Sequence, residues 1–183
     1  MLVFNKRLGF ALLFSGSFIF VLFIFVLGLK EKPSQLSLAT QNQAMIAFEL
    51  PDLLTGESLT KKILQTDKAY FLINFWGSWC AYCYDEHAYL LNLSQSETIY
   101  GVNWKDSRDD ALDFLQRLGN PYRAIMVDEH SQLAIGMGVY GAPETFLVSA
   151  EGVILYRYAG PLSASIWQQQ FVPRIATLTA KGA

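Results

Sequence analysis

"INFWGSWCAYCYDEH", residues 73–87, holds both cysteines of the chain, Cys80 and Cys83, at the point where one residue periodicity gives way to another. Upstream, "AYFLINFW" (69–76) is an apolar, aromatic-rich run too short for a typical helix and closed by Gly77, which predicts a buried strand at the centre of a sheet. Downstream, Cys83, Ala88, Leu90, Leu91 and Leu93 give an apolar stripe at helical spacing, with Asp85 and Glu86 near the N-terminal turn, where acids suit the dipole. A strand therefore feeds a helix through "GSWC".

Working outward, "TIYGVNW" (98–104) reads as a second strand and "SRDDALDFLQRLGNP" (107–121) as a second helix. Ser107 is its N-cap, Asp110 closes a capping box, Gly119 lies past its end and Pro121 stops it. "RAIMVD" (123–128) is a third strand, and "ETFLVSAEGVILYRYAG" (144–160) is a hairpin around Ala150-Glu151-Gly152. A last amphipathic helix, "SASIWQQQFVPRIATL" (163–178), is expected to be interrupted at Pro173. Strand-helix-strand-helix followed by hairpin and helix predicts an α/β fold, its sheet parallel in the first half and antiparallel in the second.

Before this domain lies "LGFALLFSGSFIFVLFIFVLGL" (8–29), uncharged and bracketed by Lys6-Arg7 and Lys30-Glu31-Lys32. At ~1.5 Å per residue it reaches across the roughly 30 Å hydrocarbon layer of a bilayer. It exceeds the roughly 7–15 residue apolar core of a cleavable signal peptide, and it lacks the polar face of a buried soluble helix. The expected organisation is a short cytoplasmic tail (1–7), a transmembrane anchor (8–29), a polar tether "EKPSQLSLATQNQ" (30–43 with Lys30) and one folded domain (44–183). The flanking charges mildly favour an inside N-terminus, which puts the domain outside the cytoplasmic membrane, where disulfides persist.

Composition excludes two broad classes. A hydrophobic content of 52% is too high for a disordered chain. Lys6, Arg7 and Lys30 take three of the 14 basic residues and none of the 16 acidic ones, so the remainder is net −5 and no nucleic-acid partner is expected.

A Cys-x-x-Cys pair alone is open to zinc ligation, haem attachment or redox exchange. Structural zinc needs about four ligands, and beyond the pair the chain offers only His87 and His130 outside its carboxylates. Haem attachment wants a histidine directly after the second cysteine, where Tyr84 stands. Between a buried strand and a helix start, Cys80 would face unpaired N–H groups that stabilise a thiolate, and Cys83 would sit one turn in, more buried. Cys80 is thereby the attacking thiol and Cys83 the resolving one, with no cofactor required. Trp79, Tyr82 and Trp104 suggest an apolar rim for a partner peptide, while Trp76 reads as core. His87, four residues after Cys83, is open to two readings: a packed or solvated helix histidine, or a group that tunes the pair or ligates copper.

"NFWGSWCAYCYDEH", with "GVNWKD", "LGNPY", "GVYGAPETFLVSAEGVILYRYAGPL" and the N-terminal apolar run, resembles the thioredoxin-like thiol:disulfide interchange proteins of cytochrome c maturation, the DsbE/CcmG family. The resemblance implies a thioredoxin-like fold, a mixed central sheet flanked by helices, held at the inner membrane by one N-terminal transmembrane helix with the C-terminal domain in the periplasm. It implies electrons received from a membrane thiol reductase and passed to apocytochrome c or a maturation thiol protein through the Cys80-Cys83 disulfide, with neither cofactor nor metal. Pro143 matches the family's cis-proline, and Ala142 before it would offer backbone hydrogen bonds to a substrate peptide. Trp79, Tyr140 and, within "GVNWKD", Trp104 fall where the family binds substrate; the alternative for "GVNWKD" is a plain strand followed by an acidic helix start.

Glu86 and Glu144 match acidic positions beside the family's thiol pair; the alternative for each is a solvated carboxylate at a helix start or strand end. Asn74 stands where general thioredoxins carry a buried aspartate, so a partly buried Glu86 or Glu144 would take the proton that Cys83 must lose. Negative charge beside Cys80 also favours the disulfide, by about 30 mV for each pKa unit, which makes the pair a reductant. Ala81 departs from the proline that commonly follows the first cysteine, leaving the potential open. Rival functions are a general oxidase, a reductase for another client such as a copper-site assembly protein, and a copper chaperone using Cys80, Cys83 and His87.

Overall fold

The computed structural model describes residues 15–24 and 42–181. Glu49–Pro51 (β1) and Ser58–Thr60 (β2) pair as a small antiparallel ribbon, followed by a 3-10 turn at Lys61–Ile63. The main sheet comprises Tyr70–Trp76 (β3), Ile99–Trp104 (β4), Ile125–Asp128 (β5), Glu144–Ser149 (β6) and Ile154–Ala159 (β7), in the spatial order β5-β4-β3-β6-β7. Ala81–Leu93 (α1), Arg108–Leu118 (α2) and Gln132–Gly136 (α3) connect the strands. The chain ends in Ala164–Ile166 (α4), a π-helical turn at Trp167–Phe171 and Val172–Lys181 (α5).

β3 is buried at all seven positions because it lies between two strands and beneath two layers. It pairs in parallel with β4, which pairs in parallel with β5, while β6 and β7 run antiparallel, as the order of elements requires. Alternation along β3 sends Leu72, Asn74 and Trp76 to one face, where α1, α2 and the C-terminal helices supply Leu90, Phe114 and Phe171. Phe71, Ile73 and Phe75 go to the other, covered by α3 and the segment before β3 through Leu133, Met137 and Leu64. Each large apolar side chain so buried contributes about 1.5–3 kcal/mol. From Asn42 the chain runs along β7: the Asn42 and Met45 N–H groups donate to the carbonyls of Ile154 and Gly152 (each 2.8 Å), and Ala44 bridges Val153.

Three expectations need correction. The buried face of α1 is Cys83, Glu86, His87, Leu90 and Leu93, and Ala88 points outward. The three- and four-residue steps from Cys83 fix that face, and they place two ionisable side chains on it where the sequence reading followed apolar residues alone. Pro173 does not break the last helix. Its ring would crowd the Gln169 carbonyl in regular α-geometry, and the wider turn directly before it removes that clash, with Arg174 Nη1 donating to the Gln170 carbonyl (2.5 Å). The capping box of α2 is also altered. Ser107 Oγ accepts from the Asp110 N–H (3.1 Å) and donates to Asp110 Oδ2 (2.6 Å), but the Ser107 N–H goes to Asp106 (3.0 Å).

The expected tail (1–7) and most of the expected anchor and tether lie outside the described residues. Residues 15–24 are helical and exposed, and among the described residues no helix is long and apolar enough to cross a membrane.

Candidate active site

Cys80 is the N-cap of α1, in extended conformation (φ −91°, ψ 104°), and its sulfur accepts the Cys83 N–H at 3.2 Å. The two cysteines are joined as a disulfide, with Cα atoms 5.3 Å apart. An N–H aimed at Cys80 Sγ from the first turn is the interaction that lowers a thiol's pKa once the pair is reduced. The expected difference in burial nearly vanishes in the disulfide form, since Cys80 is 4% and Cys83 2% exposed. What distinguishes them is position: Cys80 at the helix end, Cys83 one turn inside.

The loop that presents Cys80 is fastened by Asp106, which follows β4. Its carboxylate accepts from Ser78 N (2.6 Å), Ser78 Oγ (2.7 Å), Asn103 Nδ2 (2.8 Å) and Ser107 N (3.0 Å). Trp79 then folds back over Gly77, where a Cβ would collide with its indole, and its Nε1 donates to the Trp104 carbonyl (3.1 Å). Trp79 is 52% exposed and its ring meets Trp104 edge-on at 6.0 Å; Tyr82 is exposed nearby in sequence, and Trp76 is core. Trp104, expected on the rim, is instead buried, donating to Ser131 Oγ (2.9 Å) under the Lys105 ammonium. It supports Trp79 from beneath.

The Ala142-Pro143 bond is cis. Phe75 of β3 pairs with Glu144 of β6, so Pro143 lies at the sheet end where β3 delivers the cysteine loop. Glu144 holds this turn: Oε1 accepts from Tyr140 N (3.0 Å) and Gly141 N (3.1 Å), and Oε2 from Arg157 Nε (2.5 Å). The Arg157 guanidinium lies 4.8 Å from the exposed Tyr140 ring. Glu144 is neither solvated nor placed to share work with Glu86. It is 1% exposed, ion-paired, and on the Phe146 face of the sheet, opposite Asn74 and Thr145. A carboxylate committed to three donors, one of them a cation, is a structural strut.

Glu86 is the remaining acid, 1% exposed on the same face of α1 as Cys83, one turn on. Its Oε1 accepts from Asn74 Nδ2 (2.8 Å) and its Oε2 from the Leu162 N–H (2.6 Å). Asn74 Nδ2 also donates to Thr145 Oγ1 (3.1 Å), and Asn74 Oδ1 accepts the Tyr122 hydroxyl (2.8 Å). Gly101 is the register partner of Asn74, and a Cβ there would stand 2.8 Å from the Tyr122 ring, so the bare backbone makes the slot for the phenol. Burial raises the Glu86 carboxyl from 4.5 to about 7, outweighing the opposing bonds from Leu162 and Asn74. The carboxyl is thus poised to gain or lose a proton near neutrality.

His87 is a packed helix histidine. Its Nε2 lies 2.9 Å from the Gly119 carbonyl at the end of α2, its ring meets Phe114 edge-on at 4.8 Å, and burial lowers its pKa. Bonding a carbonyl fixes the Nε2–H tautomer and takes that nitrogen out of use as a ligand. Among the described residues no three His, Cys, Asp or Glu side chains converge as a metal would need.

The sheet end brings together Cys80, Cys83, Trp79, Ala142, Pro143 and Tyr140, with Glu86 beneath Cys83 and with Trp104 and Glu144 as supports. Sequence reasoning missed Asp106, Tyr122, Gly101 and Arg157 as parts of this arrangement. Asp106 closes "GVNWKD" and Tyr122 closes "LGNPY", but nothing in the spacing ties Asp106 to Ser78 or Tyr122 to Asn74, pairs made by strand register alone.

The Redoxin family profile matches residues 40–170. The chain is 37% identical over 169 residues to the thiol:disulfide interchange protein DsbE of Allochromatium vinosum, spanning 91% of this chain and 92% of that one. It is 41% identical over 145 residues to the DsbE of Yersinia pestis, 78% of this chain and 77% of the other. The fold matches the crystal structure of the thioredoxin domain of a thiol-disulfide oxidoreductase from Bacteroides vulgatus, with a TM-score of 0.58 at 22% identity, covering 80% and 99% of the two chains.

Proposed function

Because this chain belongs to the DsbE-type thiol:disulfide interchange proteins and is a thiol:disulfide oxidoreductase whose redox centre is its cysteine pair, we propose that it works as a reductant in c-type cytochrome maturation. Its clients are a disulfide of apocytochrome c or of a maturation thiol protein, and its electrons come from a membrane thiol reductase. Residues 8–29 hold it in the inner membrane with the C-terminal domain in the periplasm.

The dithiol form begins the reaction. The Cys80 thiolate attacks one sulfur of the client disulfide, the client S–S bond breaks, and the first client thiolate leaves. Cys83 then gives its proton to the ionised Glu86 and attacks Cys80 Sγ, which closes the Cys80-Cys83 disulfide and releases the second client thiolate. Two electrons have passed to the client, and the donor dithiol restores the pair. The exposed Trp79 and Tyr140 rings and the Ala142 backbone form the surface on which the client peptide lies. The reading rests chiefly on Cys80 at the helix N-terminus with the buried Glu86 one turn beyond Cys83.

Replacing Cys83 by Ser in cells making c-type cytochromes is expected to trap client proteins as mixed disulfides through Cys80, and mass spectrometry of the captured species names them. Equal capture by Cys80→Ser, or species linked through no cysteine, would reverse the assignment. A reduction potential near −120 mV, the strongly oxidising end of the known range, would make the protein an oxidase instead.

A further inference from the structure

We infer that Tyr122 is a positioning residue of this centre: its hydroxyl fixes which end of the buried Asn74 amide faces Glu86, and so directs the Glu86 proton toward Cys83. The inference rests on the role given to Glu86 in the proposed reaction.

An amide between two partners is ambiguous, because either end fits most pockets. At Asn74, Thr145 does not resolve the choice, since a hydroxyl both donates and accepts. Tyr122 does. Asn74 Oδ1, 2.8 Å away, is the partner that the described residues offer its hydroxyl hydrogen. Turning the amide over would set NH2 against that O–H and leave a buried donor unpaired, a costly arrangement.

The phenol is itself fixed. Its ring stacks on Trp76 at 5.5 Å, fills the slot left by Gly101, and burial drives its ionisation far above the usual range, so it stays a donor.

With the amide so locked, Glu86 meets N–H donors at both oxygens, Asn74 Nδ2 and Leu162 N. Neither can accept a proton. The interior therefore offers no path inward, and Glu86 exchanges its proton on the side of Cys83. The other groups facing Glu86 change little across neutrality. Tyr122 and Tyr158 both feel its charge and both titrate above their ordinary value, Thr145 is neutral, and His87 on the same helix turns to Gly119. None of these is a cation, so the hydrogen-bond pattern is the counterweight to burial.

The test uses the reduced full-length protein in detergent, mixed with excess oxidised glutathione and acid-quenched for mass spectrometry across pH 5–9. Decay of the glutathione mixed disulfide reports Cys83 attack. In the parent protein its rate is expected to rise through an inflection near neutrality. In Tyr122→Phe, which keeps the ring stack, the amide is free to turn its carbonyl toward Glu86 and favour the protonated acid. The inflection is then expected about one pH unit higher, and Glu86→Gln should abolish it in either background.

Uniform slowing at every pH in Tyr122→Phe, or no change, while Glu86→Gln removes the inflection, overturns the role of Tyr122 and leaves that of Glu86 standing. Persistence of the inflection in Glu86→Gln overturns the role of Glu86 and this inference with it. Should Tyr122→Phe fail to fold, 3-fluorotyrosine at position 122 keeps ring and hydroxyl while strengthening the donor. The inflection should then move down, and an unmoved one is equally fatal.

Discussion

A carboxyl buried against N–H donors leaves a thermodynamic trace as well as a kinetic one. Glu86 is raised from 4.5 to about 7 by folding, so between those values the folded chain holds a proton that the unfolded chain has lost. Stability therefore falls as pH rises through this window, by on the order of 2 kcal/mol from pH 5 to pH 8. Urea unfolding of the oxidised protein at the two pH values is expected to show that loss, and Glu86→Gln to flatten it. Glu144 predicts differently. Removing its cation in Arg157→Met strands a buried charge, and unfolding at pH 7 should show a loss of about 3–5 kcal/mol. Glu86 stands three residues from Cys83 in the sequence, and Glu144 came beside the pair only through the family resemblance. Which of them lies on the Cys83 side and which is tied up in an ion pair was not legible, because that depends on the side of the sheet each faces and on Arg157, reached only through the pairing of β6 with β7.

At the scale of elements, long stretches with a clear period were legible: β3 to β7, α1 and α2 follow from their patterns. The three-residue strands β1 and β2, the 3-10 turn and the five-residue α3 were not, since none is long enough to complete a period. The C-terminal helix shows the other limit. Pro173 gave a correct warning of irregularity, answered by a widened turn where a break was expected. Asp106 links two elements, tying the loop between β3 and α1 to the start of α2. Asp106→Ala is expected to cost about 2–3 kcal/mol from its charged hydrogen bonds and to speed amide hydrogen exchange at residues 77–79, with β3 and β4 keeping their protection. Exchange read by mass spectrometry separates this loosening of one loop from general destabilisation.

For the whole molecule, the mixed sheet followed from the order of elements, while the place of Pro143 at the sheet end that carries the cysteine loop, set by β6 running antiparallel to β3, was offered by the sequence only through the family resemblance. Charge and hydropathy gave the wider organisation: an uncharged 22-residue run (8–29) ahead of an acidic domain. If that run anchors the protein, the full chain should sediment with membranes and resist alkaline extraction. A chain beginning near residue 37 behind a cleavable export signal should be soluble. Protease added outside the inner membrane should digest the C-terminal domain; protection there would reverse the orientation.

The packing of Trp79 has a practical use. Its indole neighbours the disulfide in the chain and is clamped between Gly77 and Trp104. An excited indole gives up an electron to a nearby disulfide more readily than to a thiol, so opening the Cys80-Cys83 bond should brighten the emission. The protein thus carries a built-in optical gauge of its own electron content, readable during turnover without a label, and Trp79→Phe should silence most of the signal.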